Sequence, residues 1–198
     1  MIQTLTALLV MMNPFALFIY LTPVMEDLSH RDFLKVLVKA TFISFGVFVV
    51  FLFGGDFILK NFFQIRFESF RIFGGIVIFS FSYFYIVKGQ KALITIKSSL
   101  DDLASEIALP FMVGAGSLSV VLLMGNKFSL LEASVGLPLV LVANFVILVS
   151  LKSIKDNFEK KKMKVAFDKN MEILLRINGF FIGAIGIDLI VEGIRGLF

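Results

Sequence analysis

The first charged side chain in this chain is Glu26. Everything before it is apolar or neutral, and long charge-poor stretches recur to the end. An α-helix needs roughly 20 apolar residues to cross a hydrocarbon core of about 30 Å. Inside that core the backbone must satisfy its own polar groups, so runs of this kind fold as helices. Six spans are expected: residues 2–24, about 34–58, Arg71 to Lys88, about 105–126, Glu132 to Lys152, and about Leu174 to Arg195. The second and third have short uncharged cores and cross if Lys35, Lys39 and Lys88 reach to the surface. Composition agrees, at 58% hydrophobic and a mean hydropathy of +0.94. A soluble domain of 198 residues has too little interior for that much apolar surface. The expected fold class is an all-α membrane protein, a single transmembrane domain over residues 1–198. The opening stretch lacks a basic n-region and a small-residue cleavage site, so it reads as a retained span. The chain has no cysteine, which excludes disulfides, thiolate metal sites and a cysteine nucleophile.

The basic residues give an orientation. Loops after the first, third and fifth spans hold Arg31, Lys35, Lys88, Lys91, Lys97, Lys152, Lys155, Lys160, Lys161, Lys162, Lys164 and Lys169. The opposite side holds Lys60, Arg66, Lys127 and Arg195. Twelve against four places the first set in the cytoplasm and both termini outside, by the positive-inside rule. The Lys run from 160 to 164 reads as a solvated cytoplasmic loop, and no nucleic-acid partner is expected. His30, beside Asp27, Arg31 and Asp32, reads as another loop residue.

The two halves echo each other. Pro14-Phe15 lies in span one and Pro110-Phe111 in span four. Arg71-Ile72-Phe73-Gly74 opens span three, and Arg176-Ile177-Asn178-Gly179 opens span six. Three crossings per half is an odd number, so two such halves insert with opposite orientation. The expectation is a pair of inverted three-helix repeats, about 1–90 and 104–198.

Proline lacks the backbone donor and clashes with the preceding turn, so spans one and four should be broken helices. A half-helix N-terminus offers free N–H groups and about half a positive charge, which suits a carboxylate. The facing C-terminus offers carbonyls, which suit an ammonium group or a sodium ion. The candidate substrate-binding residues are Asn13, Pro14, Pro110, Gly114, Gly116, Ser117, Ser119 and Asn178. The glycines would admit a ligand to the backbone, and the amides and hydroxyls would orient it. The competing reading makes the prolines simple kinks and the small residues packing devices. The glycine stretch is no phosphate loop, because the following Lys-Ser/Thr is missing.

Asp188 and Glu192 stand one turn apart in span six. Charges inside a bilayer cost about 2.5–3.5 kcal/mol each on insertion scales and are usually functional. Asp188 is the candidate for ion coupling, through a proton or sodium ion, with an ion pair to Arg71 as its alternative. Glu192 reads as interfacial, paired with Arg195. Asn144 reads as an interhelical hydrogen-bonding residue, and Gly179 with Gly183 as a helix-packing step.

Several of these segments together resemble the MarC family of membrane proteins. They are Asn13-Pro14, Phe70-Arg71-Ile72-Phe73-Gly74-Gly75, Ile107 through Gly116, and Arg176-Ile177-Asn178-Gly179. The family usually has Gly-Pro-Gly where this chain has Gly114-Ala115-Gly116, often a proline at the place of Glu106, and commonly an amide at that of Asp188. The family includes carriers of the SnatA type. The resemblance implies a transporter of small neutral amino acids such as glycine and alanine. With no nucleotide-binding motif, the driving force would be a proton or sodium gradient, and no other cofactor is expected. An exporter of amino acids or small drugs is the alternative, and a non-transporting membrane scaffold a second. An enzyme is not expected, since no Cys, His pair or Ser–Lys motif is in place. The expected location is the plasma membrane.

Overall fold

The computed structural model describes residues 1–88, 103–105, 107–158 and 161–198. Lys91, Lys97, Glu106 and Lys160 lie outside the described residues. The described chain is helical, with no strand among the described residues. Helix α1 (Ile2–Met12) and α2 (Pro14–Asp27) are separated by Asn13 alone. Helix α3 (His30–Phe57) runs into a π-helical turn (Ile58–Phe62) and is followed by α4 (Phe67–Lys88). A π-helical segment (Ile107–Met112) precedes α5 (Ala115–Lys127), then α6 (Leu130–Asp156) and α7 (Lys161–Arg195).

Matching caps start the two long inner helices. The Ser29 hydroxyl accepts the Asp32 N–H at 3.2 Å at the start of α3. The Ser129 hydroxyl accepts the Glu132 N–H at 3.4 Å at the start of α6, and Glu132 returns a carboxylate to the Ser129 N–H at 3.0 Å. Each satisfies donors that the first helical turn leaves open.

Five segments are long and apolar enough to cross a bilayer: Ile2–Ile19, His30–Gly55, Phe67–Lys88, Leu130–Asp156 and Lys162–Arg195. The expected span at 105–126 is not among them, because the break between Leu109 and Gly114 leaves a continuous helix of only 13 residues, Ala115–Lys127. The expected start of the last span also moves. Helix α7 begins at Lys161, so Lys161, Lys162, Lys164 and Lys169 ride on helix rather than loop. Lysine, methionine, alanine and glutamate are good helix formers, and charge ends a membrane span without ending a helix. Lys152 and Lys155 are likewise helical. They are buried in the last turns of α6, where Lys152 meets Asp156 at 2.9 Å and Lys155 meets Asp168 at 3.0 Å.

The packing follows an exchange pattern. Helix α1 packs on α6, and the 107–112 segment packs on α3. Helix α2 packs on α6 and α7, while α5 packs on α3 and α4. Helices α4 and α7 form the most extensive pair. Their seam is glycine: a Cβ on Gly75 would lie 2.5 Å from the Gly186 carbonyl oxygen, and one on Gly193 2.9 Å from the Glu68 oxygen. Gly179 and Gly183 face Ile86 and Ser82 across it, which fits the packing reading of that step. The main core gathers Leu8, Met12, Phe18, Leu37, Phe48, Met112, Val121, Leu141 and Leu148. Phe42, Phe57, Phe73, Phe180 and Phe181 point outward. In a bilayer that outward apolar surface meets acyl chains.

Candidate functional site

Both interruptions arise from local chemistry. Asn13 has φ 48° and ψ 69°, the left-handed region that asparagine tolerates better than most residues. Its N–H bonds the Leu9 and Val10 carbonyls at 3.2 and 3.1 Å, closing α1. Its Oδ1 accepts the Ala16 N–H at 3.1 Å, opening α2 with Pro14 at the first helical position. One residue therefore caps two helices. The second break is wider. Leu109 is extended, at φ −122° and ψ 116°, as a residue before proline tends to be. Gly114 is extended as well, and α5 starts after it. The Ser117 hydroxyl accepts the Gly114 N–H at 2.9 Å and donates to the Met112 carbonyl at 2.9 Å, tying the two sides together.

The structure brings part of the expected set together. Asn178 on α7 donates its Nδ2 to Asn13 Oδ1 at 2.7 Å. A Cβ on Gly116 would strike Ile78 of α4 and lie 3.1 Å from the sulfur of Met11, two residues before Asn13. The second break thus abuts the end of α1. Gly116 makes room for those side chains here. Pro14, Ser117 and Ser119 are buried, and Gly114 is half-buried. The first-turn N–H groups of α5 lack intrahelical carbonyls, as at any helix start. These ends carry partial positive charge at a place where apolar side chains surround them.

Asp188 stands apart. Its side chain is exposed, and the partner of Arg71 is Glu192, at 3.8 Å, which also meets Arg195 at 3.2 Å. The expected Asp188–Arg71 alternative is not formed. The seam sets Gly193 beside Ile72 and Gly186 beside Gly75, so Glu192 lies level with Arg71 and Asp188 one turn away from it. His30 opens α3 and approaches Asp156 at 3.9 Å.

Two polar features escaped the sequence. Asn13 Nδ2 is buried without a hydrogen-bond partner, with the residue 4% exposed. Asn144 is 0% exposed and neither its Nδ2 nor its Oδ1 has a partner, so the expected interhelical hydrogen bond is not formed. A signal existed. Asn144 stands as far beyond its cap Ser129 as Ser44 stands beyond Ser29, and Ser44 packs on the second break, 3.5 Å from the Met112 sulfur. Among the described residues no group of three or more His, Cys, Asp or Glu side chains is placed to hold a metal.

Five bilayer-length segments, with apolar stretches interrupted at Asn13 and between Leu109 and Gly114, define a multi-pass integral membrane protein. The chain belongs to the MarC family of integral membrane proteins, whose model matches residues 1–198. It is similar to a UPF0056 membrane protein of Aquifex aeolicus, 25% identical over 99% of this chain and 92% of the relative. A UPF0056 membrane protein of Methanocaldococcus jannaschii is 28% identical over 93% of this chain and 91% of its own length. Another of the same description, YhcE of Escherichia coli, is 28% identical over 74% and 69%. No solved structure matches the chain significantly.

Proposed function

We propose that the protein is a secondary carrier, not an enzyme, that moves small neutral amino acids such as glycine and alanine together with a proton or sodium ion. One observation carries the reading: two helix breaks abut, and one of them holds a buried amide nitrogen with no partner. A scaffold gains nothing from such an atom. A carrier does, because a zwitterion needs donors for its carboxylate and acceptors for its ammonium. Helix ends and amides supply both without a membrane-buried arginine. The substrate class comes from the family resemblance drawn on the sequence motifs.

The same reading assigns six crossings in two inverted halves, the 107–127 stretch being the sixth in two pieces. The matched serine caps and the exchange pattern of packing support it. Both termini then lie outside the plasma membrane, as the basic residues favour. A cysteine at Lys127→Cys that stays unreactive to an impermeant reagent outside intact cells would overturn that orientation.

Counterflow in liposomes tests the function itself. Vesicles loaded with unlabelled glycine should accumulate labelled glycine above protein-free vesicles, with no ion gradient imposed. Absence of exchange for both glycine and alanine by a folded, reconstituted protein sinks the proposal.

A further inference from the structure

Asn144 lies near the middle of α6, between the buried Leu141 and Leu148. An amide offers two N–H donors and two oxygen lone pairs, and here all are sealed from solvent and unpaired. Leaving such groups unpaired is unfavourable, whereas a leucine of similar size would have no such need.

Two contacts fix the level at which Asn144 lies. A Cβ on Gly136 of α6 would sit 2.8 Å from Leu5 of α1, and Lys152 of α6 reaches the Met25 carbonyl of α2 at 3.4 Å. The α1–α2 chain and α6 therefore run in the same direction. Asn13 follows Leu5 by as many residues as Asn144 follows Gly136, about 12 Å of helix rise in each case. Asn13 and Asn144 stand at one level of two packed helices. Both carry a buried, unpartnered Nδ2, and Asn144 adds an unpartnered Oδ1.

We infer that Asn144 is a binding residue for the backbone of the amino-acid substrate, its amide acting with that of Asn13 between α1 and α6. Two amide nitrogens suit a carboxylate and one amide oxygen suits an ammonium. The inference rests on the carrier reading above and adds α6 to a site otherwise built from α1, α2, α5 and α7. Both amides are closed off from solvent in this arrangement, so entry requires the helices at the breaks to part.

Thermal unfolding of the purified full-length protein in detergent, titrated with glycine, tests it. Wild type should melt higher with glycine. Asn144→Leu should melt no lower than wild type without ligand, because it loses only unpaired atoms, and should bind glycine at least tenfold more weakly. If Asn144→Leu does not fold, Asn144→Ser takes its place with the same expectation. Ser44→Ala, at the equivalent level of α3, should keep the wild-type Kd, since the Ser44 hydroxyl already bonds the Ala40 carbonyl at 2.9 Å. Wild-type Kd in the Asn144 variant overturns the assignment, leaves the carrier reading standing, and marks the amide as a site for water. A tenfold loss in Ser44→Ala as well overturns it too, as a general packing effect. No glycine or alanine shift in wild type overturns both.

Discussion

Helices α4 and α7 are continuous and meet backbone to backbone. The α1–α2 and 107–127 segments are interrupted and meet through side chains. The first region satisfies its one buried hydroxyl directly: Ser82 donates to the Gly179 carbonyl at 2.5 Å. The second leaves the amide nitrogen of Asn13 buried and unpaired, and α6 beside it leaves both amide atoms of Asn144 so. Glycine does different work in the two. In the seam it allows carbonyl oxygens to approach, so a side chain at Gly75, Gly186 or Gly193 meets backbone. At Gly116 it allows the flexible ends of Ile78 and Met11 to approach, and those can move. A protein that must stay folded while part of it rearranges benefits from this division: tight backbone-to-backbone packing on one side, and unfilled amide capacity with adjustable contacts on the other.

The largest effect should come from the seam. Gly75→Leu would drive a side chain into the Gly186 carbonyl and Ile190. It should lower stability by about 3 kcal/mol, at the upper end of overpacking costs. Denaturant unfolding in mixed micelles measures it, and a loss smaller than that of any Asn13 variant would erase the contrast drawn between the two regions.

Asn13 should be next. Asn13→Ala removes the cap of α2 and the acceptor for Asn178, and forces alanine into the left-handed region. The expected cost is about 2 kcal/mol. Asn13→Gly removes the same side chain without the backbone penalty, so its cost should be under about 1 kcal/mol. Equal losses in the two variants would mean that the left-handed geometry is not what the residue provides. Both should lose glycine binding.

Asp188→Asn should do least to the fold, within about 0.5 kcal/mol, because the carboxylate is exposed and does not meet Arg71. Its effect belongs to coupling. If Asp188 carries the ion, the variant should exchange glycine at the wild-type rate but lose its response to a pH or sodium gradient. An unchanged response in the reconstituted variant removes Asp188 from the mechanism.

The breaks were legible because proline acts on its own neighbours. Pro14 allows a helix to start, and Pro110 forces Leu109 out of the helix, whatever surrounds them. The start of α7 was hidden because Lys161 and its neighbours mark the edge of a bilayer but not the end of a helix. The partner of Arg71 was hidden because Asp188 and Glu192 are nearly equivalent along the chain. Only the depth of Gly75, Gly186 and Gly193 in the seam decides which of the two lies level with Arg71. The unpaired state of Asn144 is hidden for a stronger reason: lacking a partner is a property of all its neighbours at once.

Asn13 also sets a mechanical scale. Because a single residue joins α1 to α2, rotation between them passes through one pair of backbone torsions. The 14-residue α2 is then a lever of about 21 Å. A swing of about 10° at that pivot would carry its far end through about 4 Å, on the same rise per residue. Near that far end is the Met25 carbonyl, 3.4 Å from Lys152. A small turn at a buried asparagine would thus break or remake a contact at the opposite end of the helix, and the lysine on α6 would register the position of the arm.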